Sequence, residues 1–361
     1  MNIWIFTAGL ILLLLVLTDL IITTFAPVGS GKLAGYLRRG VWQLFLKLSG
    51  NKGSRKILNY AGPVSVVIWL FGWLLLIWLS NSLIFISDPG SVVESGTLRS
   101  TTWVEKTYFT GYVLSTMGSG EFIARGPGWQ LYSAFISFSG YIVITIIITY
   151  LYSVVTNDIT RRKVSIRIYH SGGSPQEILL RYWDGNDFSR LKNDLASLSE
   201  EIVEVAQNHM AYPILHNFHS TNREESLELN LASLDEALSI LMLYKPEGVA
   251  PSLPELYELR SAITYYLQTL HNVLITPAEH VPPPPDLTPL LANELPLDGK
   301  PFEQLQSDKL KLRRKLLKSL LYNQGWKWEK LNETTKPDQI DDWLSRIRRK
   351  RSYRWPAPEQ D

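Results

Sequence analysis

The sequence predicts an all-α membrane protein: three transmembrane helices, a re-entrant helix followed by an irregular strand, and a mainly helical cytoplasmic domain. Three observations predict it. Long apolar runs occupy Ile3 to Phe25, Val64 to Ile86 and Trp129 to Val155. Basic residues crowd two of the segments that flank these runs. A stretch from Trp103 to Glu121, between the second and third runs and too short to cross a bilayer, ends in alternating glycines.

Each apolar run supplies the ~20 residues a spanning helix needs. A backbone in hydrocarbon must satisfy its own hydrogen bonds, so each run is read as helix. The first lacks a basic leader and a small-x-small cleavage site, and it reads as a span rather than a signal peptide. The 361 residues carry a net charge of +2, so bulk charge says little about partners. The near-zero mean hydropathy is what an apolar half joined to a charged half gives. There is no cysteine, which excludes disulfides, thiolate metal sites and cysteine nucleophiles. No nucleophile, acid–base pair or cofactor motif supports an enzyme, and no cofactor is expected.

Orientation follows from the basic residues. Lys32, Arg38, Arg39, Lys47, Lys52, Arg55 and Lys56 lie between Pro27 and Gly62 with no acid among them, and Arg161-Arg162-Lys163 follows the third span. The segment from Ser87 to Gly128 is balanced. The positive-inside rule then places the first connector and the C-terminal half in the cytoplasm and the N-terminus outside a cell membrane. The expected organisation is an N-terminal span (1–26), a basic connector (27–62), a membrane domain (63–157), a helical cytoplasmic domain (158–276), a proline-rich linker (277–301) and a basic helical region (302–361).

Within the connector, Leu33, Leu37, Val41, Leu44, Phe45 and Leu48 recur at helical spacing. This predicts an amphipathic helix, either along the inner leaflet with Trp42 as anchor or against the soluble domain. Asp19, the acid inside the first span, is expected near the cytoplasmic edge, paired with a base or a partner helix.

The segment from Trp103 to Glu121 begins as an amphipathic helix with Tyr108, Phe109, Tyr112 and Val113 on one side. It ends in Thr116-Met117-Gly118-Ser119-Gly120. Alternate glycines allow positive φ without steric cost. Such a strand turns successive carbonyls towards one axis, and four copies would stack rings of oxygens that replace an ion's water shell. A helix pointing its partially negative C-terminal end at that centre favours a cation. One loop cannot encircle an ion, so a homotetramer is expected.

At these residues the chain resembles the potassium-channel pore family, bacterial type with an extra N-terminal span. The family's filter reads Thr-Val-Gly-Tyr-Gly-Asp, where this chain has T-M-G-S-G-E at Thr116 to Glu121. The resemblance covers roughly Val64 to Val155, and Thr18 to Phe25 resembles the extra span. It implies that Thr116, Met117, Gly118, Ser119 and Gly120 bind K⁺ through oxygens, with no other metal site. Tyr108, Phe109, Tyr112 and Glu121 would support the filter and its outer mouth, and Gly140 resembles the family's gating hinge.

The chain departs from the family at three positions. Ser119 replaces a large aromatic that wedges the filter, Met117 replaces a β-branched residue, and Glu121 lengthens an aspartate. A less braced filter is expected. Thr145, Thr149 and Tyr152 share a helical face, read either as vestibule lining or as threonines bonding between helices.

In the cytoplasmic half, Val164 to Tyr169 alternates like a brief strand. Phe188 to Met210, Asn222 to Leu243 and Leu253 to Leu274 read as helices, the last capped by Ser252 with Pro254 in its first turn. Pro282 to Pro285 make 277–301 a semi-rigid linker that cannot be regular helix. Lys309, Lys311, Arg313, Arg314, Lys315 and Lys318, then Arg346, Arg348, Arg349, Lys350 and Arg351, form a basic end, read as a solvated or membrane-skimming helix. Anionic lipid is its expected contact; no nucleic-acid module is present. His209, His216 and His219 are read as ordinary histidines ahead of a pH or metal role. No nucleotide-reading motif, Walker motif or EF-hand loop appears.

The expected function is passive K⁺ conduction gated through the cytoplasmic domain near Tyr152 to Asn157 by an unidentified signal. The alternatives are a weakly selective cation channel and a non-conducting membrane sensor or scaffold that keeps a decayed pore.

Overall fold

A computed structural model describes residues 1–26, 31–49, 55–244, 249–271, 276–297 and 300–334. Lys52, Arg346, Arg348, Arg349, Lys350 and Arg351, and the end of the 253–274 stretch, lie outside the described residues. Among those described, three helices are long and apolar enough to cross a membrane, at Ile3–Phe25, Ile57–Ile86 and Pro127–Ser171. The chain divides into two compact units. The first joins Met1–Val164 to Leu198–Ser226 and the segment that begins at Ser261. The second holds Ser165–Ser197, Leu227–Arg260 and the segment that begins at Thr276.

The first unit begins with α1 (Ile3–Phe25), capped by Asn2, whose side chain accepts from Trp4 and Ile5. α2 (Lys32–Ser49) and α3 (Ala61–Ile86) come next. The Asn2 amide donates to the Ser87 carbonyl at 2.6 Å, so α1 and α3 run antiparallel. Their shared core takes Leu13, Val16 and Leu20 from α1 and Val66, Trp69, Trp73 and Ile77 from α3. α5 (Pro127–Ser171) adds Val143, Ile147, Tyr150 and Val154. Tyr150 meets Trp69 edge-on at 5.7 Å, an arrangement that suits the ring quadrupoles.

Asp19 is buried, and its partner is indeed a helix rather than a base. Its carboxylate accepts from the Trp73 indole at 3.1 Å and from the Leu33 amide, in the first turn of α2, at 3.0 Å. A negative group suits that helix end, whose first amides lack partners. In α2, Leu33, Leu37, Val41 and Phe45 are half-buried, while Leu44 and Leu48 are exposed. Trp42 packs against His216 at 6.1 Å.

The strand expected at Val164 to Tyr169 is instead the continuation of α5, a 45-residue helix. Val164 and Ile168 sit four apart, which serves a helix as well as alternation serves a strand, and both are buried. The basic cluster after the third span also turns partly inward. Arg161 is buried, reaching Asp158 at 3.2 Å and the Phe218 carbonyl. His209, His216 and His219 are all buried, with the His209 and His216 rings 6.0 Å apart. Among the described residues no cluster of three metal-binding side chains occurs.

α6 (Pro175–Tyr182), α7 (Ser189–Ala211), α8 (Leu227–Tyr244) and α9 (Leu253–His271) continue the chain. α8 starts five residues later than the expected Asn222. There Ser220 donates to Glu225 and accepts from the Asn222 amide, local bonds that compete with helix. Within 277–301, Thr288–Ala292 forms a short helix, α10, with Pro289 in its first turn, so part of the expected linker is regular after all.

In the second unit, α12 (Asp308–Asn323) comes after the one-turn α11 (Phe302–Leu305). It is not the solvated helix its charge suggested. Leu310, Leu317, Leu320 and Leu321 are buried, and Arg314 is only 1% exposed. Arg314 pairs with Glu236 at 2.7 Å and donates to the carbonyls of Pro282 and Pro283. The proline stretch is therefore fastened to α12 rather than free. Arg260 and Arg313 both bind Asp235, at 3.1 and 2.5 Å.

Candidate functional site

α4 (Trp103–Leu114) is built by its own first turn. Thr102 and Glu105 form a capping box, each satisfying a backbone amide of the other's end. Arg99 grips Glu105 at 2.7 Å. That hydrogen bond, with those from Thr102, pulls the Glu105 carboxyl down to about 2. Lys106, buried, donates to the Phe85 and Asp88 carbonyls and so closes the open end of α3. Burial lowers its ammonium, with Asp88 pulling the other way. The Trp78 indole donates to the Thr107 carbonyl at 2.9 Å.

The aromatic side of α4 forms a small core of its own. Phe109 meets Phe85 at 5.1 Å and Tyr112 at 5.3 Å, and Tyr108 meets Phe122 at 6.2 Å. Tyr108 is 42% exposed, whereas Phe109 and Tyr112 are buried.

α4 ends where Ser115 and Thr116 turn back on it. Met117 N–H then donates to the Tyr112 carbonyl at 2.9 Å. From there the chain alternates in hand: φ is +61° at Thr116, +61° at Gly118 and +77° at Gly120, with Met117 and Ser119 on the negative side. Left-handed φ at every second residue is the condition under which neighbouring carbonyls point the same way instead of alternating. For Thr116, which has a Cβ, that conformation costs about 1–2 kcal/mol, so the fold imposes it.

Ser115 to Glu121 are all exposed, and a Cβ built on Gly118 or Gly120 meets nothing within 4 Å. Beyond this strand the chain is pinned again. The Ser95 amide donates to the Glu121 carbonyl at 2.8 Å, and β1 (Val92–Glu94) pairs antiparallel with β2 (Phe122–Ala124). Tyr112 reaches across the gap: its hydroxyl donates to the Phe122 carbonyl.

Gly140 lies against the end of α4. A Cβ there would sit 2.0 Å from the Leu114 carbonyl oxygen, and α5 is unbroken helix through it. The glycine thus serves a close approach of two backbones. Thr145 and Thr149 lie on one face of α5 with Tyr152, at steps of four and three. They line a cavity of about 250 Å³ with Thr24, Phe25, Tyr150 and Tyr212, and each hydroxyl donates to the carbonyl four residues back. Tyr152 is 72% exposed and does not line that cavity. A second cavity, about 410 Å³ and almost wholly apolar, opens behind α4 among Phe71, Leu75, Trp78, Leu114 and Ile144.

Sequence reasoning named Thr116 to Gly120, which the structure places in an exposed stretch of alternating φ, and the aromatic side of α4. It missed Lys106, Leu114 and the hydroxyl role of Tyr112. A lysine in an otherwise apolar helical stretch was a readable signal for the first, but backbone contacts such as that of Leu114 leave none.

No family model matches this chain, and no solved structure matches it. It is 34% identical over 322 residues to an uncharacterized membrane protein, YdjJ, of Bacillus subtilis (strain 168). The match covers 89% of this chain and 94% of that protein. The chain belongs to the YdjJ family of membrane proteins. This relation and the three apolar helices establish a membrane protein, and the match to YdjJ is long enough to take in most of the charged C-terminal half.

Proposed function

We propose that this YdjJ-family chain is one subunit of a homotetrameric cation pore that conducts K⁺ passively, with Thr116 to Gly120 as its selectivity filter. The observation that carries this reading is the alternation of positive φ at Thr116, Gly118 and Gly120. Exposed carbonyls on one side of a short strand, anchored at both ends, are what four chains need to build stacked oxygen rings. α4 would act as the pore helix, its C-terminal carbonyls adding negative potential at the centre. The proposed orientation has the N-terminus and the filter outside and the basic end of α5 in the cytoplasm. No side chain does covalent chemistry, and the cytoplasmic domain transmits a gating signal.

A weakly selective cation pore is the second reading. Ser119 favours it, because no ring stands behind the filter at that position. Purified full-length protein in lipid bilayers tests both. The expected outcome is a tetramer by light scattering and a cation current whose reversal under bi-ionic K⁺/Na⁺ conditions favours K⁺. Equal permeability selects the second reading. An intact tetramer without cation current, or a stable monomer, overturns both.

A further inference from the structure

We propose that the second unit binds a small organic cation, an ammonium group on a short apolar body, in a cavity beside α6 and α10. The cavity measures about 400 Å³, within the ~300–1,000 Å³ range of small-molecule sites. Its lining comes from three stretches far apart in sequence, 174–180, 286–289 and 332–334. The Gln176 amide nitrogen donates to the Asp286 carbonyl at 2.7 Å and fastens the first stretch to the second. Just before Asp286, Arg314 holds the proline stretch through the carbonyls of Pro282 and Pro283. The site is therefore formed before a ligand arrives, which keeps the ordering cost of binding low.

The residue that points to a ligand is Gln176, which lines the cavity and is only 6% exposed. Its amide nitrogen is committed to Asp286. Its carbonyl oxygen accepts no hydrogen bond from the described residues, yet it is not sealed off inside the protein. An acceptor so nearly buried is costly to leave without a donor. The donor must come from the cavity.

Charge decides what kind of donor fits. Glu177 and Asp286 line the cavity, and no lysine, arginine or histidine does. Glu177 is already committed: Arg181 donates to it at 2.6 Å and the Gly173 amide at 2.8 Å. Asp286 is exposed and has no cation beside it among the described residues. The Thr288 amide, 3.0 Å from its Oδ1, lowers its pKa and keeps it ionised at neutral pH. The other polar groups of the lining, on Ser174, Asn332 and Thr334, are neutral. A phosphate or carboxylate is repelled here, whereas an ammonium offers N–H donors to Gln176 and opposite charge to Asp286. Leu180 and Pro289 give the cavity an apolar side for the body of the ligand.

The test is a ligand-observed NMR titration of the full-length, detergent-solubilised protein. Three probes of one size are compared: propylamine, propanol and propionate. The expected result is saturable binding of propylamine, about tenfold tighter than propanol, with no binding of propionate. Asp286→Asn, at an exposed position, removes the charge but keeps an acceptor for Thr288, and it should weaken propylamine by about tenfold. Arg181→Gln, also at an exposed position, releases the Glu177 carboxylate and should tighten propylamine, a change that a merely structural role would not produce. Gln176→Met keeps the side chain's length without its oxygen and should weaken binding. If that variant fails to melt cooperatively, the two exposed variants decide alone. Equal binding of the three probes, no saturable propylamine binding, or wild-type affinity in Asp286→Asn overturns the proposal. Each of these outcomes leaves the pore reading intact, because none of them involves ion flux.

Discussion

The Arg314 guanidinium and the Gly118 backbone are both strongly polar, and the protein treats them in opposite ways. Arg314 is 1% exposed, paired with Glu236, bonded to two proline carbonyls and lying over the rings of Phe302 and Trp328. Gly118 is exposed, left-handed, and makes no backbone hydrogen bond to the described chain. Around Arg314 the polar groups are spent on holding the fold. Around Gly118 the fold is spent on holding polar groups out, with anchors on either side. Polar atoms that a protein positions but does not satisfy are available to something else, and this separates the candidate site from the scaffold.

The largest effect that tests this contrast is expected in the second unit. Arg314→Ala leaves Glu236 buried without its cation, which should cost about 3–5 kcal/mol and lower the melting temperature of the detergent-solubilised protein sharply. Replacing Arg314 and Glu236 together by leucine should recover most of that loss, because a buried pair can be exchanged for apolar packing at little cost. Full stability of the single variant would mean that this cluster is no more structural than the exposed strand.

Gly118→Ala should behave in the reverse manner. The added Cβ meets no neighbour, but a left-handed alanine costs about 1–2 kcal/mol, which the unbonded strand relieves by turning its carbonyl. K⁺ flux in liposomes should fall by more than about tenfold while melting stays close to wild type. Melting that drops along with flux would place Gly118 in the scaffold.

The smallest effect concerns the cap of α4. Glu105 has its pKa depressed to about 2 by Arg99 and Thr102. A depressed carboxyl gives its contribution above its unfolded value and loses it only as pH falls through the folded one. The cap is therefore expected to hold on acidification from neutrality to about pH 4, with flux unaffected by its titration. Glu105→Gln, which keeps the acceptor, should behave like wild type across that range. A flux loss over the same range that Glu105→Gln abolishes would show that the charge itself matters.

The legible parts of this molecule are those written in local order. The spans can be read because hydrocarbon demands length and apolarity together. The strand after α4 lies in alternating glycines; the α4 cap at Thr102 and Glu105, three residues apart, is just as local but went unread. What escapes reading depends on distance. Arg313 and Asp235 are 78 residues apart, and a basic run gives no sign of which of its members has an acid waiting. Val164 to Ile168 satisfies two periodicities at once, and only the buried surroundings of α5 decide between them. By residue type Tyr112 is an aromatic support. Its hydroxyl bond to the Phe122 carbonyl becomes visible only when Phe122 returns through β2.

The missing side chain at Gly140 also sets how α5 can turn. With the Leu114 carbonyl lodged where a Cβ would be, α5 is keyed in rotation as well as in position. A turn of about 100° around the helix axis would bring the Cβ of Ser139 or Tyr141 to the same carbonyl. The contact acts as a detent: α5 fits against the end of α4 at one angular setting, and leaving that setting means pushing Leu114, two residues before Thr116. Any twist delivered along α5 thus arrives at the strand as a displacement of its first support.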